Sequence, residues 1–398
     1  VWPASLFLCV CLWIALQTTP FVPINWQHPI WLQASQILDQ DIPGSISINP
    51  ETTLQGLISL VSAAAVFWLA LQLGRSPERA GFGIRLFVVS SVFFALYGIL
   101  NFLGDGSNIL WMEKRFYPES VTSTFINRNS YATYAGLGLI CSVALLIDRS
   151  VEPFRSGNTA FQGFVKVLEG FFTRNAIYLI ATVLLFTALL LTQSRAGNAS
   201  VLIGLCALLA ATARAGIVRL RQTFIAVLML APVVGVIVSV SGSGLGARMP
   251  TVQSFDLDGR GALYAVTMDA IKDRPFLGSG FGTYREAIYP YLNDQLLTDR
   301  SWFDAHNTYL EKTLELGVPI AFALFSTILL LALSCWRGLR RRRRNQVFPA
   351  IAVGASCMIA THSLLDFSVE IPAVTVSFVF LLGIGVAQSL PSSRSKSR

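Results

Sequence analysis

Eight stretches of this sequence, 54–74, 86–104, 130–147, 175–193, 196–213, 222–241, 316–334 and 371–389, contain no Asp, Glu, Lys, Arg or His. Each is long enough to cross a hydrocarbon layer of about 30 Å as a helix. Two further segments extend the pattern: 2–17, which is short, and 347–364, whose one ionisable group, His362, stands at its outer end. The expected fold is therefore all-α, a polytopic membrane protein of about ten spans. Helices are required because lipid offers no partner to a backbone that fails to bond internally. Composition agrees: charged residues make up 13% of the 398, well below the roughly 25% of soluble chains. The first residue is Val1, so the chain is expected to begin inside a longer protein, with 2–17 a clipped span. That segment lacks the basic start and small-residue cleavage pattern of a signal peptide.

Basic residues orient the spans, because short loops rich in Lys and Arg stay cytoplasmic. Arg75, Arg79 and Arg85 mark one loop, and Arg149, Arg155, Lys166 and Arg174 the next. Arg214, Arg219 and Arg221 mark a third, and Arg337 with Arg340–Arg344 the last. With simple alternation these loops share a face with the tail carrying Arg394, Lys396 and Arg398, and both termini are cytoplasmic. The outer, periplasmic side then receives 18–53, 105–129, the long 242–315 loop, 365–370 and a tight turn at 194–197. Net charge is +8, but Arg340–Arg344 alone supplies five positive charges, so the balance reads as a topology signal and not as nucleic-acid binding. All six cysteines fall in expected spans and show no metal-ligand spacing; they read as small buried apolar residues.

The spans are almost free of ionisable groups, whereas an ion-coupled transporter usually carries them at depth. Residues with chemical potential cluster instead at the outer mouth: Arg195, Arg260, His306, Asn307, His362 and Asp366. Arg195 interrupts two long apolar stretches, and a guanidinium there suits a pyrophosphate, which it grips through two parallel hydrogen bonds. A snorkelling interfacial arginine is the structural alternative. Arg260, in Asp-Leu-Asp-Gly-Arg-Gly, offers a second clamp or a salt bridge to Asp256 or Asp258; both readings stay open. In the long loop, 262–272 is expected to be helical, with Leu263, Val266 and Ala270 on one face. Pro275, Gly278, Gly280 and Gly282 then break the pattern. A second helix is expected to start near Ala305 and run into the span at 316, placing His306, Tyr309, Leu310 and Thr313 on one face and Glu311 and Glu315 on another. His306 is a candidate general base. If His362 and Asp366 share a helix, the carboxylate orients the imidazole; capping of the helix end is the favoured alternative. His28 is the least informative histidine.

Four segments, in order, resemble the O-antigen ligase and O-antigen polymerase superfamily of bacterial membrane glycosyltransferases. They are Thr-Phe-Ile-Asn-Arg-Asn-Ser-Tyr-Ala (124–132), Gln-Ser-Arg-Ala-Gly (193–197), the stretch from Gly-Arg-Gly-Ala-Leu-Tyr to Phe-Gly-Thr-Tyr (259–284), and Ala-His-Asn-Thr-Tyr-Leu-Glu…Glu-Leu-Gly (305–317). The closing His-Ser-Leu-Leu-Asp-Phe…Ile-Pro-Ala is also similar, and the resemblance covers roughly 120–390. It implies a GT-C-like protein of the bacterial inner membrane. Such a protein moves a glycan from undecaprenyl pyrophosphate to an acceptor hydroxyl at the periplasmic face, with no metal, cofactor or nucleotide sugar. The acceptor is a glycolipid such as lipid A-core, another glycan, or a protein; a polymerase or a protein O-oligosaccharyltransferase is the sibling reading, and a non-catalytic polysaccharide or lipid transporter the reading from another class. Carried over by residue, Arg195 and Arg260 hold the pyrophosphate and His306 assists the acceptor, with Asn129, Asn307, His362 and Asp366 as supporting positions. The implied organisation is N-terminal spans over 1–120, a catalytic region over 121–390 that includes periplasmic loop 242–305, and a basic cytoplasmic tail over 391–398. Members often have about twelve spans, two more than are counted here. The loop is expected to fold back over the mouth and bring Arg260 and His306 within roughly 10–15 Å of Arg195, so that donor and acceptor are held together.

Overall fold

The computed structural model describes residues 2–155, 175–218, 260–292, 296, 304–342 and 344–390. Among these residues the chain is helical, apart from a two-stranded antiparallel ribbon that pairs Asn108–Ile109 with Met112–Glu113. The α-helices in chain order are α1 Trp2–Gln17, α2 Pro29–Leu38, α3 Pro50–Leu73, α4 Pro77–Leu103, α5 Arg128–Arg155, α6 Ala176–Leu191 and α7 Arg195–Arg214. They continue with α8 Arg260–Asp273, α9 Tyr284–Ile288, α10 Thr308–Leu316, α11 Val318–Arg341, α12 Val347–His362 and α13 Pro372–Ala387.

Nine of the ten expected spans coincide with a described helix. Five, α3, α4, α5, α7 and α11, are long and apolar enough to cross a membrane by themselves; α1, α6, α12 and α13 are apolar and shorter. The tenth, 222–241, lies outside the described residues, as does the tail 391–398. All six cysteines sit on these helices as free thiols.

The chain divides into two compact units. Unit 1 comprises Val1–Ala65, Pro250–Leu331 and Ser363–Phe367; unit 2 comprises Val66–Met249, Ala332–His362 and Ser368–Arg398. In unit 1, α8, α9 and α10 bury Leu263, Ala270, Ile271, Tyr284, Ile288 and Leu314 in a shared core. The expected apolar face of α8 is thus the packed one, with Val266 at its margin. A second core joins Val10 and Ile14 of α1 to Leu316, Ala321 and Leu324.

Unit 2 is a bundle whose helices approach at small residues. A Cβ at Gly204 of α7 would come within 2.7 Å of the Met358 Cβ on α12. The two ends of this bundle differ in chemistry. At one end Gln388 Nε2 donates to the Gly74 carbonyl at 2.6 Å, Arg342 Nη1 donates to the Gln388 carbonyl at 2.6 Å, and the Arg214 guanidinium lies 4.6 Å from the Trp336 ring centroid. That end gathers the basic turns. The opposite end, a 20-residue helix away along α7, holds Asn129, Ser194, His362 and Ser368.

Two expectations change. Residues 305–334 do not form one helix. Asn307 caps α10, accepting from the amides of Tyr309 and Leu310 at 3.0 and 3.1 Å, and Gly317, at φ +77°, ends it before α11 begins. His306 therefore lies before the helix and shares no face with Tyr309 or Thr313. The turn expected at 194–197 sits one step earlier: Gln193 takes φ +54°, Ser194 is the N-cap of α7, and Arg195 is its first residue.

Candidate functional site

In unit 1 three chain segments converge on His306. The residue takes φ +50°, a left-handed conformation that costs a non-glycine residue about 1–2 kcal/mol. Its ring packs edge-on against Phe367, with centroids 5.1 Å apart. Its Nδ1 lies 3.8 Å from Oδ2 of Asp366, whose side chain is fully buried. This is a charge contact and is longer than a hydrogen bond. Asp366 is held in place by its backbone: its carbonyl accepts from Thr308 Oγ1 at 3.2 Å, and the neighbouring Ser363 carbonyl accepts from the Thr308 amide at 2.9 Å. The helix α12 ends at His362, so His362 and Asp366 do not share one, and the Asp366 carboxylate lies nearer the His306 ring.

Arg260 opens α8, and its Nη1 donates to the Leu365 carbonyl at 2.9 Å, one residue from Asp366. One turn along the same helix, Tyr264 donates to the His306 carbonyl at 3.0 Å. Burial pushes the Tyr264 hydroxyl up, Arg260 opposes the shift and Asp366 adds to it, so all three groups share one electrostatic neighbourhood. Arg260, Tyr264, His306 and Asp366 thus form one cluster. Asp256 and Asp258, the alternative partners of Arg260, lie outside the described residues.

In unit 2 the N-terminus of α7 is built against α5. Ser194 Oγ accepts from the Gly197 amide at 3.1 Å and donates to Asn129 Oδ1 at 2.7 Å. A Cβ on Gly197 would stand 2.7 Å from that of Ala132, so only glycine lets the two helix starts come this close. Arg195 is exposed on the first turn of α7. A cation is disfavoured at that helix end, whereas an anion is stabilised there by the amides and the dipole. His362, buried at the end of α12, meets Thr133 Oγ1 through its Nδ1 at 2.9 Å. Arg195 and the His306 cluster belong to different units, and their mutual approach stays a proposal.

His28 has a structural task. Its Nδ1 accepts from the Ile30 amide at 3.3 Å, capping α2. Burial, with Arg274 adding to it, lowers its pKa to about 4. It is neutral at physiological pH, which makes it an acceptor at the cap.

Residues 180–326 match the family model Wzy_C, O-antigen ligase. The matched stretch spans less than half of the chain. The resemblance read from the motifs is borne out there, and the match supports a ligase- or polymerase-type glycosyltransferase. Arg195, Arg260, His306 and Asn307 fall inside it; Asn129, His362 and Asp366 fall outside. No curated protein matches the chain.

The ligase-family region also holds a group of ionisable residues that sequence reasoning did not single out. Glu311, Lys312 and Glu315 of α10 are all buried, at 2%, 7% and 1% exposure. Lys312 Nζ bridges Glu311 Oε1 at 3.2 Å and Glu315 Oε2 at 2.9 Å, and lies 5.0 Å from the Phe281 ring centroid. Burial, with Glu311 adding to it against Lys312, pushes Glu315 up to about 7. Asp304 is pushed up to about 6 by burial and by Glu311. The available signal was two glutamates four apart on a short helix, a spacing that repels unless a cation intervenes.

The glycine-rich loop before α9 also has a role in the fold that composition did not reveal. The Ser279 and Gly280 amides donate to the Leu314 and Glu315 carbonyls at 3.1 and 3.0 Å. Gln17 Nε2 donates to the Glu315 carbonyl at 2.9 Å, and Trp13 Nε1 to that of Leu316 at 3.1 Å. The loop and α1 together satisfy the last carbonyls of α10, which would otherwise be buried without partners.

Proposed function

We propose that this protein transfers a glycan from undecaprenyl pyrophosphate to an acceptor hydroxyl at the outer face of the bacterial inner membrane. The observation that carries the reading is the His306–Asp366 pair beside Arg260, within and adjoining the ligase-family sequence. With Nδ1 turned to a buried carboxylate, the favoured tautomer keeps that proton, leaving Nε2 as the base. In the reaction the acceptor oxygen forms a bond to the anomeric carbon and its proton passes to Nε2. The bond from that carbon to the phosphate oxygen breaks, and the electron pair leaves with undecaprenyl pyrophosphate. Asp366 stabilises the imidazolium that results.

Arg195 and Arg260 hold the pyrophosphate and offset the charge that grows on it, so the reaction needs no metal ion. Asn129, through Ser194, sets the first turn of α7 that carries Arg195. His362 and Asn307 support the two helix ends. The basic end of unit 2 faces the cytoplasm, consistent with the charge rule for short loops, and the motif end faces outward. Ligase, polymerase and protein transferase differ in the acceptor alone.

The test is transfer from a polyprenyl-pyrophosphate-linked glycan by the purified protein in lipid nanodiscs. His306→Ala, Arg260→Ala and Arg195→Ala are each expected to abolish product while the protein remains inserted and monodisperse. Normal transfer by His306→Ala would remove the mechanism, and lipid flipping by the wild-type protein without any transfer would replace it with transport.

A further inference from the structure

His306 occupies a backbone conformation that does not maintain itself. A left-handed non-glycine residue persists where its surroundings over-determine it, and the contacts that do so here can be traced. On the C-terminal side, the Asn307 cap fixes the start of α10. Tyr264 holds the His306 carbonyl. On the N-terminal side, the Ala305 amide donates to Glu311 Oε2 at 3.1 Å. Glu311 reaches back from the first turn of α10, and its other oxygen is held by Lys312. Its two oxygens therefore have separate tasks: one anchors the carboxylate in the buried cluster, and the other pins the residue before His306.

We propose that Glu311 is a positioning residue for transfer, whose carboxylate fixes the Ala305–His306 turn and so aims the imidazole between Asp366 and the acceptor hydroxyl. The proposal rests on the reading of His306 as the base. Glu311 touches neither substrate nor the reacting atoms. Displacing a base by about 1 Å costs on the order of a hundredfold in rate. Binding of the donor, assigned to the arginines, is left alone. This separates Glu311 from a residue that merely keeps the fold: its loss falls on kcat and not on KM.

The side chain also admits a conservative rescue. Gln at 311 retains an oxygen for the Ala305 amide, but its NH2 would face the Lys312 ammonium. Replacing Lys312 by Met at the same time removes that conflict. Among the acidic groups around the position, Asp304 from the preceding loop and Glu315 from the next turn of α10 are unchanged in every variant.

The experiment compares steady-state transfer by wild type, Glu311→Ala, Glu311→Gln/Lys312→Met and His306→Ala, each checked for monodispersity in nanodiscs. Glu311→Ala is expected to lower kcat about tenfold to a hundredfold with donor KM within twofold, and to have no further effect when combined with His306→Ala. The Gln/Met double variant is expected to keep kcat within about threefold of wild type. Unchanged kcat in Glu311→Ala, a loss confined to KM, or a folded double variant as slow as the Ala variant would each overturn the proposal. If Glu311→Ala fails to fold, the double variant decides alone: near-wild-type kcat supports positioning through the retained oxygen, and a large loss rejects it. Full transfer by His306→Ala would instead strike the underlying reading, so the two failures are told apart.

Discussion

His306 Nδ1 stands 3.8 Å from Oδ2 of the fully buried Asp366, although sixty residues separate them in the chain. In the proposed reaction this carboxylate, sealed from water and turned toward one imidazole, orients the ring for proton transfer. Asp366→Asn keeps the shape and removes the charge. We expect kcat for glycan transfer to fall about a hundredfold, within the range of general-base effects, with little change in donor KM. Steady-state kinetics on the purified variant is the check. No loss in Asp366→Asn would show that the carboxylate plays no part in transfer.

Arg260 and Arg195 are expected to respond to the shape of the cation as well as to its charge. Lys at either position keeps the positive charge but loses the planar fork that grips two phosphate oxygens at once. Arg260→Lys and Arg195→Lys should each raise donor KM about tenfold, as expected for a lost charge-assisted hydrogen bond. Arg260→Lys should have the additional effect of loosening the Leu365 carbonyl that Arg260 now holds. The measurement is donor KM at two salt concentrations; unchanged values would argue that neither guanidinium meets phosphate.

Ser194 joins two helix starts through a single hydroxyl, accepting from Gly197 and donating to Asn129. Ser194→Ala removes an N-cap and is expected to cost about 1 kcal/mol of stability. Asn129→Ala should cost less, because the cap itself survives. Thermal unfolding in nanodiscs distinguishes the two, and a larger loss in Asn129→Ala would mean that the inter-helix bond outweighs the cap.

The spans were legible because a run of uncharged residues is a property of the chain itself, and nine of them are helices where charge was absent. Local punctuation is carried by single residues. Asn307 is a strong N-cap type and Gly317 a favoured helix terminator, so the residues that place His306 outside α10 were visible at 305–317. The same holds at Ser194, whose position three residues before Gly197 marks a cap. What no local pattern could give is the pairing of distant segments. The Ser279 and Gly280 amides close the end of a helix more than thirty residues away, and Asp366 turns to His306 instead of to the histidine four residues before it. These choices follow from tertiary packing, which single-sequence periodicity does not encode. The buried Glu311–Lys312–Glu315 group was hidden for a related reason: the sequence places Glu311 and Glu315 on one helix face but not what packs against that face.

That buried group makes stability depend on pH in a direction opposite to the usual carboxylate. Glu315 is raised to about 7, chiefly by burial, from an ordinary value of 4.5. Asp304 is raised to about 6 from 3.8. A folded-state pKa above the unfolded one means that the folded state holds its proton longer, so the unfolded state is the more easily ionised. The contribution to stability is fully present below the unfolded values and is lost as pH rises through the folded ones. Thermal stability should therefore fall between about pH 4 and pH 7 where these two groups dominate. Glu315→Gln places a permanently neutral group of the same shape beside Lys312. It should flatten the Glu315 part of that slope, from about pH 4.5 to 7, and leave the Asp304 part in place. Thermal unfolding midpoints of wild type and Glu315→Gln across pH 4.5 to 8 provide the measurement. Parallel curves for the two proteins would show that Glu315 does not titrate in this range and that Lys312 holds it ionised throughout.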